Sequence, residues 1–282
     1  MVALSLHSVV PVRAEAREGA EQNTQMLFGE LCEILDEQAR WRRIRLESDG
    51  QEGWVDAKMI CPMKSEEYAS YRQAYDKSAL VAFPMTYAVS ENNGQTIPLT
   101  AGTRLTHYQN GRFEVLGVGF RIDPSMVIEQ PKQMNQENLL QTVRFFLNIP
   151  YLWGGKNAMG MDCSGFTQVV MSLFGKQLLR NASEQVTQGQ AVSSLKEVQA
   201  GDLVFFNHQR PMTNDQRPTT NDQRQALSRN DQRPITHVGI AIDAERVIHC
   251  SGRVKVEKLD ETGIFSAETG DYTHHLAAIR RI

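Results

Sequence analysis

The sequence predicts a multidomain protein in which two small all-β SH3-like barrels are followed by an α+β domain. Three observations carry this reading. Short strand-like runs crowd the first part of the chain, a second strand-rich block follows a short helix, and from Asn135 helices precede antiparallel strands. With 282 residues, the chain is long enough for two or three compact domains, each with its own core.

The first barrel is read over 1–63. Val9 to Arg13, Gln25 to Phe28, Leu31 to Leu35, Trp41 to Leu46 and Gly53 to Val55 are short, rich in β-branched or aromatic residues, and broken by Gly and Asp. Ser65 to Lys77 reads as a linker helix (64–78) capped by Ser65, with Glu66 and Glu67 near its positive end. The second barrel spans 79–130, where Leu99–Leu105 and Arg112–Leu116 echo Leu27–Glu33 and Trp41–Arg45.

The third domain covers 131–282. Leu139, Leu140, Val143, Phe146 and Leu147 have helical spacing, and Pro150 is expected to stop that helix. Asp202 to Phe206, Thr236 to Ile242 and Val247 to Cys250 read as strands. Between them, 208–235 is a low-complexity loop in which Asn-Asp-Gln-Arg recurs at Asn214, Asn221 and Asn230. It has no apolar face to bury, and is read as an expanded hairpin tip or as a lid ending beside His237.

Composition narrows the function classes. The chain is 41% hydrophobic and 22% charged with a formal net charge of −3, which gives no basic face for nucleic acid. No apolar run approaches the roughly 18 residues that span a bilayer. Met1 to His7 lacks a basic region and a long apolar core, so it does not read as a signal peptide. The expected compartment is the cytoplasm, with the periplasm or secretion open if a leader precedes this chain, and the expected state is a monomer. Cys32, Cys61, Cys163 and Cys250 are too few and too irregular for a disulfide framework. Cys32 with Cys61 is the one local pairing to watch, and both read as small buried apolar residues.

The chemistry begins at Asp162-Cys163-Ser164-Gly165-Phe166. Phe166, Val169, Val170, Leu173 and Phe174 form one face of a helix ending at Gly175, so Cys163 falls in its first turn. There the helix dipole and free N–H groups favour an anion, and the thiol pKa is expected to fall from about 8.5 toward roughly 3.5–7.5. The same N–H groups suit an oxyanion. Period two puts His237, Gly239 and Ala241 on one strand face, and the two small residues suggest room for a helix to approach. His249 lies at an even offset in the next strand. It shares that face if the hairpin loop is odd, and it can then orient His237 as a base. A zinc site from Cys163, His237, His249 and Cys250 is the rival use, but Cys250 follows His249 directly and must point to the opposite face. No metal and no cofactor are therefore expected.

Tyr151-Leu-Trp-Gly-Gly155, Asp162-Cys-Ser-Gly-Phe166, Gly201-Asp-Leu-Val-Phe-Phe206 and His237-Val-Gly-Ile240 stand in the order seen in NlpC-type papain-like cysteine peptidases. With barrels in front, the whole chain resembles the YkfC-like γ-D-glutamyl-L-diamino acid endopeptidases, also called dipeptidyl-peptidase VI, which act on bacterial cell-wall (murein) peptides. The resemblance implies a papain-like cysteine peptidase domain with Cys163, His237 and His249 catalytic and Tyr151 helping the oxyanion site. It also implies cleavage after γ-D-glutamate in L-Ala-γ-D-Glu-diamino acid peptides. In these enzymes the first barrel walls the cleft so that only a free N-terminal L-Ala fits. Asp162, Ser164 and Glu15 would then meet the substrate amine. Asn181 and Ala182 occupy a loop where some relatives carry Asp and Ser, and Gln51 stands where relatives place a Tyr. Arg180 and Lys156 are nearby candidates for the substrate carboxylates. The alternatives are an endopeptidase remodelling intact wall and a wall-binding protein with an idle catalytic domain.

Overall fold

The computed structural model describes residues 1–207 and 234–282. The Asn-Asp-Gln-Arg repeats, and with them the hairpin-tip and lid readings, lie outside the described residues.

The first unit is a seven-stranded antiparallel sheet made of β1 (Val2–Leu4), β2 (Val9–Arg13), β3 (Gln22–Leu27), β4 (Leu31–Gln38), β5 (Trp41–Leu46), β6 (Glu52–Asp56) and β7 (Cys61–Pro62), in the order β3-β2-β6-β5-β4-β1-β7. Alternation drives it: Val10, Val12, Ile44, Leu46 and Val55 turn inward over Met26, while Arg43 and Arg45 point out to Glu52. Cys32 is buried and Cys61 half-buried, and both are free thiols.

Helix α1 (Ser65–Tyr75) follows. Its cap is Lys64 rather than Ser65, because the Glu67 carboxylate accepts from the Lys64 backbone N–H at 2.9 Å and so fixes the turn one residue earlier. Next come two small sheets. One is ordered β10-β9-β13-β12, from β9 (Met85–Ser90), β10 (Thr96–Thr100), β12 (Arg112–Val115) and β13 (Val118–Ile122); the other is β11-β8-β14, from β8 (Ala79–Val81), β11 (Arg104–Leu105) and β14 (Val127–Ile128). Their core is shared with the first unit: Phe28 and Leu31 pack with Tyr71 and Tyr75 of α1 and with Phe113 and Phe120. The Tyr71 hydroxyl donates to the Gly29 carbonyl at 2.9 Å. The two β units are therefore one packed body.

In the last unit α2 (Gln136–Val143) ends earlier than Pro150. Leu147 is exposed, and Asn148 takes φ +68°, so a tight turn replaces the last helical turns. A short hairpin, β15 (Lys156–Asn157) and β16 (Gly160–Met161), leads into α3 (Cys163–Ser172) and the single turn α4 (Ala182–Gln185). The chain then builds a sheet from β17 (Gln190–Ala191), β18 (Leu203–Asn207), β19 (His237–Ala241), β20 (Arg246–Ser251), β21 (Arg253–Leu259), β22 (Gly263–Ser266) and β23 (Asp271–Arg281). Because β23 pairs with both β18 and β22, the six strands β18 to β23 close into a barrel. Closure gives every strand an outer and an inner face. Val238, Ile240, Ile248 and Cys250 face outward and pack with Phe166, Val169 and Val170 of α3. Val204, Phe206, Ala241 and Val247 form the inner core with Leu259, Ile264 and Ile279. The helix therefore rests on the Val238/Ile240 face, not on the small-residue face where the sequence suggested room for it.

Candidate active site

Asp162 caps α3: its Oδ1 accepts from the Gly165 N–H at 2.6 Å, which leaves Cys163 as the first helical residue. A Cβ at Gly165 would stand 2.2 Å from the Gly155 carbonyl, so only glycine lets the helix start press against the preceding loop. Cys163 is 7% exposed. Burial pushes its thiol up to about 11, with the Asp162 charge adding to the rise, while hydrogen bonds from the Val238 and Ser164 N–H groups and the Arg180 charge oppose it. The helix dipole alone favours a lowered thiol pKa, the opposite direction. Desolvation beside a carboxylate outweighs it, so this thiol needs a base.

The base candidate sits at the start of β19. Strand register pairs Gly239 with His249, which puts both imidazoles on the inner face of the barrel. His237 Nε2 lies 2.8 Å from His249 Nδ1, with the rings nearly perpendicular. A Cβ at Gly239 would be 2.6 Å from Val247 Cγ2 and 3.0 Å from His249 Cβ, so the glycine makes room for the neighbouring strand's side chains. His274 stacks on His237 with ring centres 4.2 Å apart. His249 Nε2 is 2.8 Å from Glu257 Oε2, and Lys255 Nζ is 3.2 Å from Glu257 Oε1. Burial lowers the His249 pKa against the pull of Glu257. Burial would raise Glu257, but the bonds from His249, Ser266 and Lys255 outweigh it and hold that carboxyl at about 2.

A cleft of about 620 Å³ brings these parts together, and its lining includes Cys163, His237, Tyr151, Trp153, Asn23 and Asn181. Asp162, Ser164, Ala182 and His274 also reach it. Tyr151 is 37% exposed, and its hydroxyl pKa is raised by burial and then by the neighbouring Cys163 and Asp162, so it stays a proton donor. Trp153 is 60% exposed, which rules out a purely core role. Cys250 also touches the cleft, but its thiol donates to the Met161 carbonyl at 3.1 Å on the helix side of the sheet, away from His249.

Several expected substrate contacts are otherwise employed. Asp162 is gripped by Arg180 through both oxygens (3.0 and 2.5 Å) and also accepts from the Gly154 and Gly165 N–H groups and the Ser164 hydroxyl. Arg180 is 1% exposed and donates to Thr24 of β3 at 2.7 Å, so it has no face for a substrate carboxylate. Lys156 is buried against Glu30 of the first unit at 3.2 Å, and so is likewise unavailable. Glu15 does not line the cleft: it is 64% exposed and paired with Arg17 at 2.9 Å, because the β2–β3 turn closes locally. The first unit lines the cleft through Asn23 instead, while Gln51 accepts from the Asn181 amide at 3.3 Å. Sequence reasoning missed Asn23, His274 and Glu257. For Glu257 a signal existed: the tight Ser251-Gly252-Arg253 turn keeps even offsets from His249 on one face.

A buried thiol at a helix start, sharing a cleft with a hydrogen-bonded pair of imidazoles, is the apparatus of a cysteine peptidase. The NlpC/P60 family model matches residues 148–215, and the bacterial dipeptidyl-peptidase SH3 domain matches residues 12–60. The chain thus carries an NlpC/P60 cysteine peptidase domain behind a bacterial SH3 domain. It is similar to the γ-D-glutamyl-L-lysine dipeptidyl-peptidase of Bacillus subtilis (strain 168), with 27% identity over 92% of this chain and 80% of that protein. The enzyme of the same name from Bacillus cereus is 26% identical over 66% of this chain and 60% of its own length. In fold it resembles the crystal structure of an NlpC/P60 family protein from Bacillus cereus ATCC 10987 (TM-score 0.76, 18% identity, 100% of this chain and 99% of that one). It also resembles an NlpC/P60 endopeptidase from Photobacterium damselae subsp. piscicida (TM-score 0.68, 14% identity, 99% and 72%).

Proposed function

We propose that this protein is a cytoplasmic, monomeric peptidase acting on bacterial cell-wall peptides. It hydrolyses the γ-D-Glu–diamino acid bond when a free L-Ala precedes the glutamate, and releases L-Ala-D-Glu for recycling. The observation that carries this is the cleft itself, in which Cys163 and His237 share a wall with Asn23 of the first barrel. A barrel fastened there favours a short peptide end over intact wall. The names of the two Bacillus relatives point to the same bond class. On this reading the 79–130 unit is a second SH3-like barrel, and α3 against a closed barrel is a papain-like arrangement.

His237 takes the Cys163 proton as the sulfur attacks the γ-carbonyl of D-Glu. The oxyanion is met by the Tyr151 hydroxyl and the N–H groups at the start of α3. The C–N bond then breaks, and His237 returns its proton to the leaving diamino-acid nitrogen. Water, deprotonated by the same imidazole, attacks the thioester and releases the dipeptide. Asn23, Ser164 and Asn181 form the wall around the substrate amine, and Asp162 lends its charge from behind them.

The test is a mass-spectrometric digest of L-Ala-γ-D-Glu-diaminopimelate, its N-acetylated form and intact wall, with wild type and Cys163→Ala. Cleavage of the free-amine peptide alone, lost in the variant, is expected. Release from intact wall favours a remodelling endopeptidase, and no cleavage of any substrate favours a wall-binding role.

A further inference from the structure

Two imidazoles in contact leave the direction of the proton chain open, since each ring can carry its hydrogen on either nitrogen. The strand β21 closes that choice. Its Glu257 side chain is 7% exposed, inside the barrel, with Oε2 2.8 Å from His249 Nε2. An ionised carboxylate only accepts, so His249 Nε2 must carry the hydrogen and its Nδ1 must be a bare acceptor. That acceptor is 2.8 Å from His237 Nε2, which must then donate. A neutral His237 is left with its lone pair on Nδ1.

We propose that Glu257 is a positioning residue for the peptidase reaction, dictating through His249 that Nδ1 is the basic nitrogen of His237. This deepens the peptidase reading above and rests on it. The site is built for the purpose. Lys255 Nζ holds the other carboxylate oxygen at 3.2 Å and is itself 3.4 Å from Glu268, so Glu257 cannot swing away without breaking an ion pair. His274 from β23 closes over the His237 ring, and Phe206 from β18 packs against it at 6.0 Å. Among the described residues, the charged and titratable groups around the pair include His274, Lys255 and Glu257, with Cys163, Tyr151 and Asp162 lining the same cleft. When His237 takes the thiol proton, both its nitrogens carry hydrogen and the bond to His249 persists. The negative charge of Glu257 then stabilises the imidazolium one ring away. His249 alone could orient His237 in either sense, and only a carboxylate behind it removes the wrong one.

Full-length wild type, Glu257→Gln and Cys163→Ala are compared in hydrolysis of L-Ala-γ-D-Glu-diaminopimelate. Long-range ¹H–¹⁵N NMR of the imidazoles is recorded on the first two. The wild type is expected to show hydrogen on Nε2 of both His237 and His249. A glutamine amide can accept or donate, so Glu257→Gln is expected to mix the His249 tautomers. It should lower kcat about 10- to 100-fold, with KM changed less than twofold. A wild-type His249 carrying its hydrogen on Nδ1 overturns the proposal, as does a folded Glu257→Gln enzyme with wild-type kcat. The wild-type spectrum decides even if the variant fails to fold. An active Cys163→Ala, or an inactive wild type, counts against the peptidase reading instead and leaves the NMR to judge Glu257 alone.

Discussion

Two buried carboxylates flank Cys163 and the imidazole pair and are used in opposite ways. Asp162 stands directly before Cys163 and receives five donors, of which only the Ser164 hydroxyl and the Arg180 guanidinium come from side chains. Its charge raises the thiol pKa rather than lowering it. Glu257 lies behind the bonded pair of imidazoles, and one of its oxygens is given to His249. The lesson is that proximity to the thiol does not define chemical involvement. A carboxylate saturated by backbone N–H groups and a guanidinium is framework, whereas one that spends an oxygen on an imidazole directs a proton.

The largest expected effect follows from the saturated member. Asp162→Ala leaves the Arg180 guanidinium buried without its counter-charge, and the cost is expected to be about 3–5 kcal/mol in a urea denaturation curve. A loss under 1 kcal/mol would break the contrast, because Asp162 would then be no framework. The second effect belongs to Glu257, held at about 2 when folded against an ordinary 4.5. Since the folded value is the lower one, its stabilisation is present above pH 4.5 and disappears as pH falls toward 2. The difference amounts to about 3 kcal/mol, and Glu257→Gln is expected to flatten the stability profile across that window. Asn23→Ala, at the cleft wall, should raise KM for the free-amine peptide about tenfold with kcat nearly unchanged, reading a lost polar contact to the substrate. The smallest change is Glu15→Ala. Exposed and off the cleft, it should alter kcat/KM less than twofold, and a tenfold loss would return it to the substrate wall.

The start of α3 was legible because two local rules agree there: an Asp before a helical apolar stripe, and a Cys directly after it. The shared face of His237 and His249 was legible from period two only on the condition of an odd hairpin loop, which the register Ala241 to Val247 meets. Closure of the barrel was not. In β21 the run Arg-Val-Lys-Val-Glu-Lys-Leu alternates charged and apolar residues, and the run by itself does not say which face turns inward. In the closed barrel neither face is uniform: Val254 is buried but Val256 is 40% exposed, while the Glu257 side chain is 7% exposed. Hydrophobic alternation reports that a strand has two faces, but the partner strands decide which is inside. Likewise, Glu15 and Asn23 are both polar residues of one hairpin region, and only the docking of the first barrel shows that Asn23 meets the cleft.

That docking has an evolutionary consequence. Arg180 and Lys156 belong to the peptidase half, are 1% and 6% exposed, and are completed by Thr24 and Glu30 of the first barrel. A Cβ on Gly154 would come within 2.4 Å of the Gln22 carbonyl. Lys156 thus finds its counter-charge in the other half, while Arg180 keeps Asp162 of its own half and takes the Thr24 hydroxyl across. Recombination that gave this peptidase half a different front module would leave Lys156 without its carboxylate and Arg180 without its Thr24 acceptor. The two halves are therefore bound to be inherited and to diverge together, as a single unit of selection, although each has its own sequence signature.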